Sequence, residues 1–488
     1  MAVRVRKDIW DLGDETDPWR DPAILAYAKA IRAMQRVDQT DPTNGASWIN
    51  QAAIHERRAN PVAGRLEDQC QHASWFFLPW HRMYLFQFES IIRSHMSAAD
   101  AATWALPYWN YTRSAARRAL PPAFRRQQLP DGTPNPLFVT QRQRTPLNMN
   151  GGARLPVSAV RTQAALRPTV FTRPASSATQ GFGGVQTGFH HNTDGFPGPL
   201  EFTPHGDVHV VVGGRDPATG ERGFMGLFGT AALDPIFWLH HANLDRLWEV
   251  WLRRPGPDRP PGRNPTASAW RTMQFDVVRP NGQRVKMRVE KVLDSERDLE
   301  YTYSELPPRP RAQREAPERP SVTEEKPPEM VGATDEPVTL TGATHSTQLA
   351  VSPPKGPARR DVAGAPEPVN LYLNIEDIEG DVTPGLVYGV YVNLPEGEEP
   401  DEESPHLAGT VSFFGIENTR PDDDKEEAPH QLRYTFDITA IVDALKEQRD
   451  WDPEKLRVTF SPVEGSDEEL AELDVPPVKV GRVSLFVE

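Results

Sequence analysis

Residues 233–251 read LDPIFWLHHANLDRLWEVW. Asp234-Pro235 is a helix start, and Phe237, Leu239, His241, Leu244 and Trp248 follow at helical spacing, so the stretch predicts a strong helix with His241 in its apolar series. Upstream, PHGDVH at 204–209 sets His205 and His209 four residues apart. That spacing stacks both imidazoles on one face of an expected helix and turns Asp207 to the far side. Further upstream, FFLPWHRMYLFQFE at 76–89 puts Pro79 in the first turn of a helix running through His81, Leu85, Phe88 and Ile92. Two earlier helices are expected, over Ala23–Val37 behind Asp21-Pro22 and over roughly Trp48–Arg58. Residues 112–200, rich in Pro, Gly, Thr and Asn without periodicity, are expected to be mostly loop.

Six of the 13 histidines fall into two triplets, His55, His72 and His81 upstream and His205, His209 and His241 downstream, each expected on helices. Three neutral imidazoles per site, without a carboxylate or thiolate, suit copper, because imidazole ligates both Cu(I) and Cu(II). The competing reading of a histidine among apolar residues is a hydrogen-bonded core residue, and for an HxxxH pair it is zinc. No HExxH occurs, so the general base of a zinc protease is missing. His240 reads as a structural neighbour of His241, and His95, His190, His191, His345, His406 and His430 read as ordinary.

The chain of 488 residues is long enough for two to four domains. Its net charge of −14 argues against nucleic acid or an anionic membrane as a partner. No apolar run of membrane-spanning length and no signal peptide is seen, so the expected location is the cytoplasm, with export by a partner as the alternative. Residues 304–368 hold 13 prolines and no aromatic residue, which predicts an extended linker. Beyond it, VNLYLNI, LVYGVYVNL, GTVSFFGI, LRYTFDI, LRVTF and RVSLFV are short β-branched and aromatic runs separated by turn signals, the pattern of a β-sandwich over 369–488. Residues 365–488 carry a net −21 against +7 for residues 1–364, so an acidic domain docked on a basic one is one expectation and two separately solvated surfaces the other.

The segment Cys70-Gln-His72 with FFLPWHRMYLFQFE, and PHGDVH with LDPIFWLHHANLDRLWEVW, resemble the two copper-binding regions of type 3 copper proteins: tyrosinases, catechol oxidases and molluscan-type haemocyanins. The resemblance spans residues 1–303, from an opening VRVR to Tyr301-Thr-Tyr303, which is similar to the Tyr-x-Tyr motif of plant polyphenol oxidases. It implies a mainly α catalytic domain, a four-helix bundle with long loops around two copper ions, bound by His55, His72 and His81 and by His205, His209 and His241. Cys70 matches the Cys-x-His in which a thioether joins the sulfur to the imidazole ring, here of His72; the alternative is a plain buried thiol.

Several further roles follow from the resemblance alone. Phe228 matches a bulky gate residue over the first copper, with core packing as the plainer reading. Glu201 matches a glutamate that holds a water beside the second copper. Gly206 stands where efficient monophenol hydroxylases have Asn, which argues for oxidation of o-diphenols by dioxygen ahead of monophenol hydroxylation. A haemocyanin-like oxygen carrier is the alternative of a different class. The second domain, with TFDI at 435–438 in place of a KFDV signature, resembles the lid of latent plant polyphenol oxidases. An activating protease would find Lys355 and Arg359-Arg360 in the expected linker.

Overall fold

The computed structural model describes residues 3–56, 66–142, 147–173, 180–191, 196–216, 218–253, 262–309, 328–352, 370–418, 432–448, 456–465, 470 and 473–488. The helices of the first domain begin where the chemistry of their caps requires. The Asp21 carboxylate accepts from the Ala23 N–H with Pro22 in the first turn of α1 (Pro22–Thr40), and Asp234 repeats this with Ile236 and Pro235 at the start of α5 (Pro235–Leu252). Between them lie α2 (Trp48–His55), α3 (Phe77–Ser94) and α4 (Asp207–Gly213). Both α3 and α5 are buried almost all round, as expected of helices at the centre of a domain. They meet through Phe88 and Trp238, stacked with ring centroids 3.5 Å apart.

A buried ionic cluster fastens these two helices to the ends of the domain. Asp245 on α5 accepts from Arg82 of α3 at 2.5 Å and from the hydroxyls of Tyr301 and Tyr303, both at 2.5 Å. Arg6 reaches Glu89 of α3 at 2.8 Å and the Tyr303 hydroxyl at 2.9 Å. Strand β1 (Arg4–Arg6) pairs in parallel with β2 (Tyr301–Tyr303), so the VRVR and Tyr-x-Tyr segments are two sides of one clasp. The expected loop over 112–200 holds only short single turns among its described residues. No described helix is long and apolar enough to cross a membrane.

Among the described residues the second domain is a nine-stranded antiparallel sheet: β3 (Glu329–Ala333), β4 (Val338–Leu340), β5 (His345–Val351), β6 (Leu371–Glu379), β7 (Tyr388–Val392), β8 (Leu407–Val411), β9 (Leu432–Asp437), β10 (Leu456–Pro462) and β11 (Val478–Val487). Their order is β8-β7-β10-β5-β3-β11-β6-β9, with β4 also on β11. The end strands β8 and β9 return into contact, so the sheet is nearly barrel-like around its apolar core. The expected linker was drawn too long. Residues 329–351 supply three strands, because Val331, Val338, Leu340 and Leu349 bury the apolar face that a count of prolines conceals. Lys355, Arg359 and Arg360 lie outside the described residues.

Candidate metal centre

The two histidine triplets meet between α2, α3, α4 and α5. His55 is the last residue of α2, and His81 sits in the second turn of α3. His72 departs from expectation, lying in the loop before α3 rather than on a helix. The expected helix carries His205 and His209 together, but its first turn is irregular ahead of both. Residues Glu201–Gly206 form a wide turn with non-helical Thr203 just ahead of Pro204, and the regular α-helix follows over Asp207–Gly213. The rings of His205 and His209 nevertheless lie 4.7 Å apart. His205 and His241 are 5.1 Å apart, and His55, His72 and His81 lie 5.4–5.9 Å from one another. The triplets abut through His81 stacked on His241 at 4.5 Å.

Backbone carbonyls select one tautomer at four of these rings. Nδ1 of His55, His81, His205 and His209 lies 2.8–3.1 Å from the carbonyl oxygens of Phe228, Phe77, Glu201 and Met225. With Nδ1–H donating outward, the Nε2 lone pair is left facing the site. Nε2 of His55, His72, His81 and His205 is indeed buried with no hydrogen-bond partner among the described residues. His209 Nε2 and His241 Nε2 face each other at 3.2 Å. Burial holds His55 and His205 down to about 3, and burial with neighbouring imidazoles holds His72, His81, His209 and His241 well below the usual histidine range. Neutral rings with converging, unpaired lone pairs fit copper on both triplets. The chain's cofactor is two copper ions.

Cys70 is buried with Sγ 3.2 Å from His72 Nδ1, the nitrogen opposite the one facing the site, and 3.4 Å from His191 Nδ1. The donor atoms of His55, Cys70 and His72 lie within 4.8 Å of one another, with the sulfur on the outer, Nδ1 side of the His72 ring, while the His81 ring lies 5.5–5.9 Å from both imidazoles with Nε2 buried and unpaired among the described residues. His190 and His191, read as ordinary from sequence, brace this segment: His190 Nδ1 meets the His72 carbonyl at 2.7 Å and His191 Nδ1 the Cys70 carbonyl at 2.9 Å. His240 turns away to the Tyr111 hydroxyl at 3.3 Å.

Glu201 lies beside the second triplet. One carboxylate oxygen accepts from the Ala73 N–H at 2.7 Å, the other is buried with no partner among the described residues, and burial pushes the carboxyl well above its usual range. The Phe228 ring stacks on His72 at 4.4 Å and meets His55 edge-on at 5.9 Å, so it covers the first triplet. Asp207, expected on the face away from the imidazoles, is buried against the second domain. Its carboxylate, pushed by burial to about 7, accepts from Thr203 at 2.8 Å and from Thr410 of β8 at 2.5 Å.

A residue of the second domain closes the site. Phe414, in the loop after β8, stacks on His209 at 4.3 Å with planes 14° apart, meets Phe228 at 4.4 Å and lies 5.7 Å from His205. It belongs to the apolar core of the first domain, while Phe202 of the first domain packs against the core of the second. The cavity left among His72, Glu201, His205, Phe228 and Phe414 is about 20 Å³, room for one water and not for a phenol ring. Elsewhere between the two domains, Glu402 accepts from the N–H groups of Val157 and Ser158, Arg167 pairs with Asp437 at 2.9 Å, and Arg173 lies 3.6 Å from Glu488. The acidic domain thus docks on arginines of the loop region. Nothing in GTVSFFGI marked Phe414 as a plug, since the run reads equally well as strand core.

Residues 45–254 match the model for the common central domain of tyrosinase, and residues 327–488 match a domain of unknown function. A tyrosinase of Hahella sp. (strain CCB-MM4) is 31% identical over 515 residues, covering 100% of both chains. The chloroplastic latent polyphenol oxidase of Prunus armeniaca is 30% identical over 58% of this chain and 46% of its own length. Among solved structures, latent apple tyrosinase superposes with a TM-score of 0.61 at 23% identity, covering 100% of this chain and 98% of the other.

Proposed function

The chain belongs to the tyrosinase family of type 3 copper oxidoreductases, and from that premise we propose that it is a latent polyphenol oxidase that converts o-diphenols to o-quinones. The observation that carries the latent reading is the Phe414 ring seated on His209 and Phe228, with space for only one water beside it. His55, His72 and His81 bind one copper in this reading, and His205, His209 and His241 the other. When bound, the pair of coppers supplies the two-electron redox chemistry by which dioxygen oxidises two diphenols to two quinones and is itself reduced to two waters.

The chain's own residues orient and protect this chemistry. Carbonyl-held imidazoles keep their lone pairs aimed at the site without reorganisation. Phe228 gives an aromatic wall along which a phenol ring can lie. Glu201, anchored by the Ala73 N–H, keeps one oxygen free to take a hydroxyl proton from the substrate. That free oxygen also favours a second reading, tyrosinase with monophenol hydroxylase activity, against which Gly206 stands as the missing Asn.

The test is the rate of quinone formation from catechol and from tyrosine by the intact copper-loaded chain, before and after a trace of SDS or limited proteolysis. Catechol turnover that rises at least about tenfold on treatment, with little tyrosine turnover, is the expected result. Full activity without treatment removes the latent reading, equal use of tyrosine selects tyrosinase, and reversible oxygen binding with no quinone under any treatment selects the oxygen carrier.

A further inference from the structure

Gly206 has no backbone reason to be glycine. Its φ of −61° and ψ of −40° are ordinary helical values, open to any residue, and glycine at a helical position lowers stability relative to alanine. The reason lies across the domain boundary. A Cβ added at Gly206 would stand 3.0 Å from Ser412 Oγ and 3.4 Å from Phe414 Cβ, so the two nearest atoms it would meet belong to the second domain. The same few residues carry the rest of the seat. Asp207, next in sequence, accepts from Thr410, and Phe202 packs on Tyr434 at 4.3 Å.

We propose that Gly206 is a latency determinant: the missing side chain is the space into which residues 410–414 descend, so that Phe414 can reach His209. Its role toward the copper site is therefore exercised through the lid, and the position trades a side chain beside the substrate for a tight closure. This inference rests on the latent reading above. A side chain of two or more heavy atoms at 206 would hold Ser412 and Phe414 off the site, because the cavity beside them has no room to take it.

The experiment uses the full copper-loaded chain and reads, for each variant, the ratio of catechol oxidation after SDS treatment to that before. Taking the ratio within one variant cancels any direct effect of position 206 on turnover. A second readout, hydrogen–deuterium exchange of residues 407–414, reports lid seating without reference to activity or copper. The expected results are a fall in the ratio of about tenfold for Gly206→Asn, roughly threefold for Gly206→Ala, faster exchange in both, and a ratio that recovers when Ser412→Ala is added to Gly206→Ala. A high wild-type ratio that Gly206→Asn and Gly206→Ala both retain, with exchange unchanged, overturns the proposal while leaving latency intact. A wild-type ratio near one overturns the latent reading itself. Should Gly206→Asn fail to fold, Gly206→Ala, whose residue favours a helix, decides alone by the same two readouts.

Discussion

Phe414→Ala removes the ring that closes the site, and its effect can be sized from the contacts it makes. The ring stacks on His209 at 4.3 Å and meets Phe228 at 4.4 Å, in surroundings where Phe414 is only 6% exposed. Each aromatic pair contributes about 0.5–1.5 kcal/mol beyond burial, and burial of a Phe side chain about 1.5–3 kcal/mol. An opened lid would still shield part of that ring, so about 3 kcal/mol of docking energy is lost. At 1.4 kcal/mol per decade the open fraction rises roughly a hundredfold. A second effect runs the same way, since the space vacated is that of a benzene ring, the size of ligand that engineered apolar cavities accept. The assay is quinone absorbance from catechol and from 4-tert-butylcatechol by the untreated intact chain. The variant should oxidise catechol about a hundredfold faster than wild type, or at the SDS-activated rate if that ceiling is lower. The bulky diphenol, which needs the lid moved and not merely pierced, should gain less. An untreated rate equal to wild type, with the same activation by SDS, would refute the assignment of Phe414 as the plug.

Four further outcomes follow from other parts of the molecule. Copper analysis should find two ions per chain, reduced to one or fewer by His209→Ala; one tightly held zinc after expression with both metals present would contradict the site. Because Cys70 Sγ lies 3.2 Å from His72 Nδ1, copper-loaded chain should weigh two hydrogens less than the sequence mass through a Cys70–His72 thioether, a loss absent in Cys70→Ser; a Cys70 that alkylates freely after denaturation excludes the bond. Asp245→Ala strands Arg82 and Arg6 in the core and should cost about 3–5 kcal/mol, seen as a melting transition lowered by several degrees, and an unchanged transition would show that the cluster holds nothing. The Arg167–Asp437 and Arg173–Glu488 pairs are partly exposed, so each is worth about 0–1 kcal/mol, and raising NaCl from about 0.05 to 0.5 M should increase untreated activity only a few-fold; tenfold or more would mean that charge, not Phe414, holds the lid.

Much of the first domain was legible because its signals are local. Asp-Pro starts and 3.6-residue spacing mark α1 and α5, and the recurrence of histidine within four apolar helices marks a metal, since imidazoles are not otherwise gathered in a core. The same local reading failed where local order breaks. His72 was expected on a helix and lies in a loop, and the helical turn that carries His205 is broken just before it, at Thr203. In both cases it is the surrounding helices that bring the ring to its partners. The strands at 329–351 were lost in a composition dominated by proline, because an average over 65 residues hides a few alternating apolar positions.

What the chain's sequence offered by itself was six histidines in two triplets and the copper that such a donor set suits. What only the tertiary structure decided was the state of the site they form. Phe414 lies 173 residues after His241, and its ring reaches His209 because two independently patterned domains dock. No periodicity or motif encodes a contact made between separate cores. Gly206 and Asp207 belong to the same class of residue. Read along the chain they are a missing side chain and a carboxylate on the far side from the histidines, whereas in the folded protein they form the floor on which the second domain closes, because burial and hydrogen bonding depend on what approaches from outside the element.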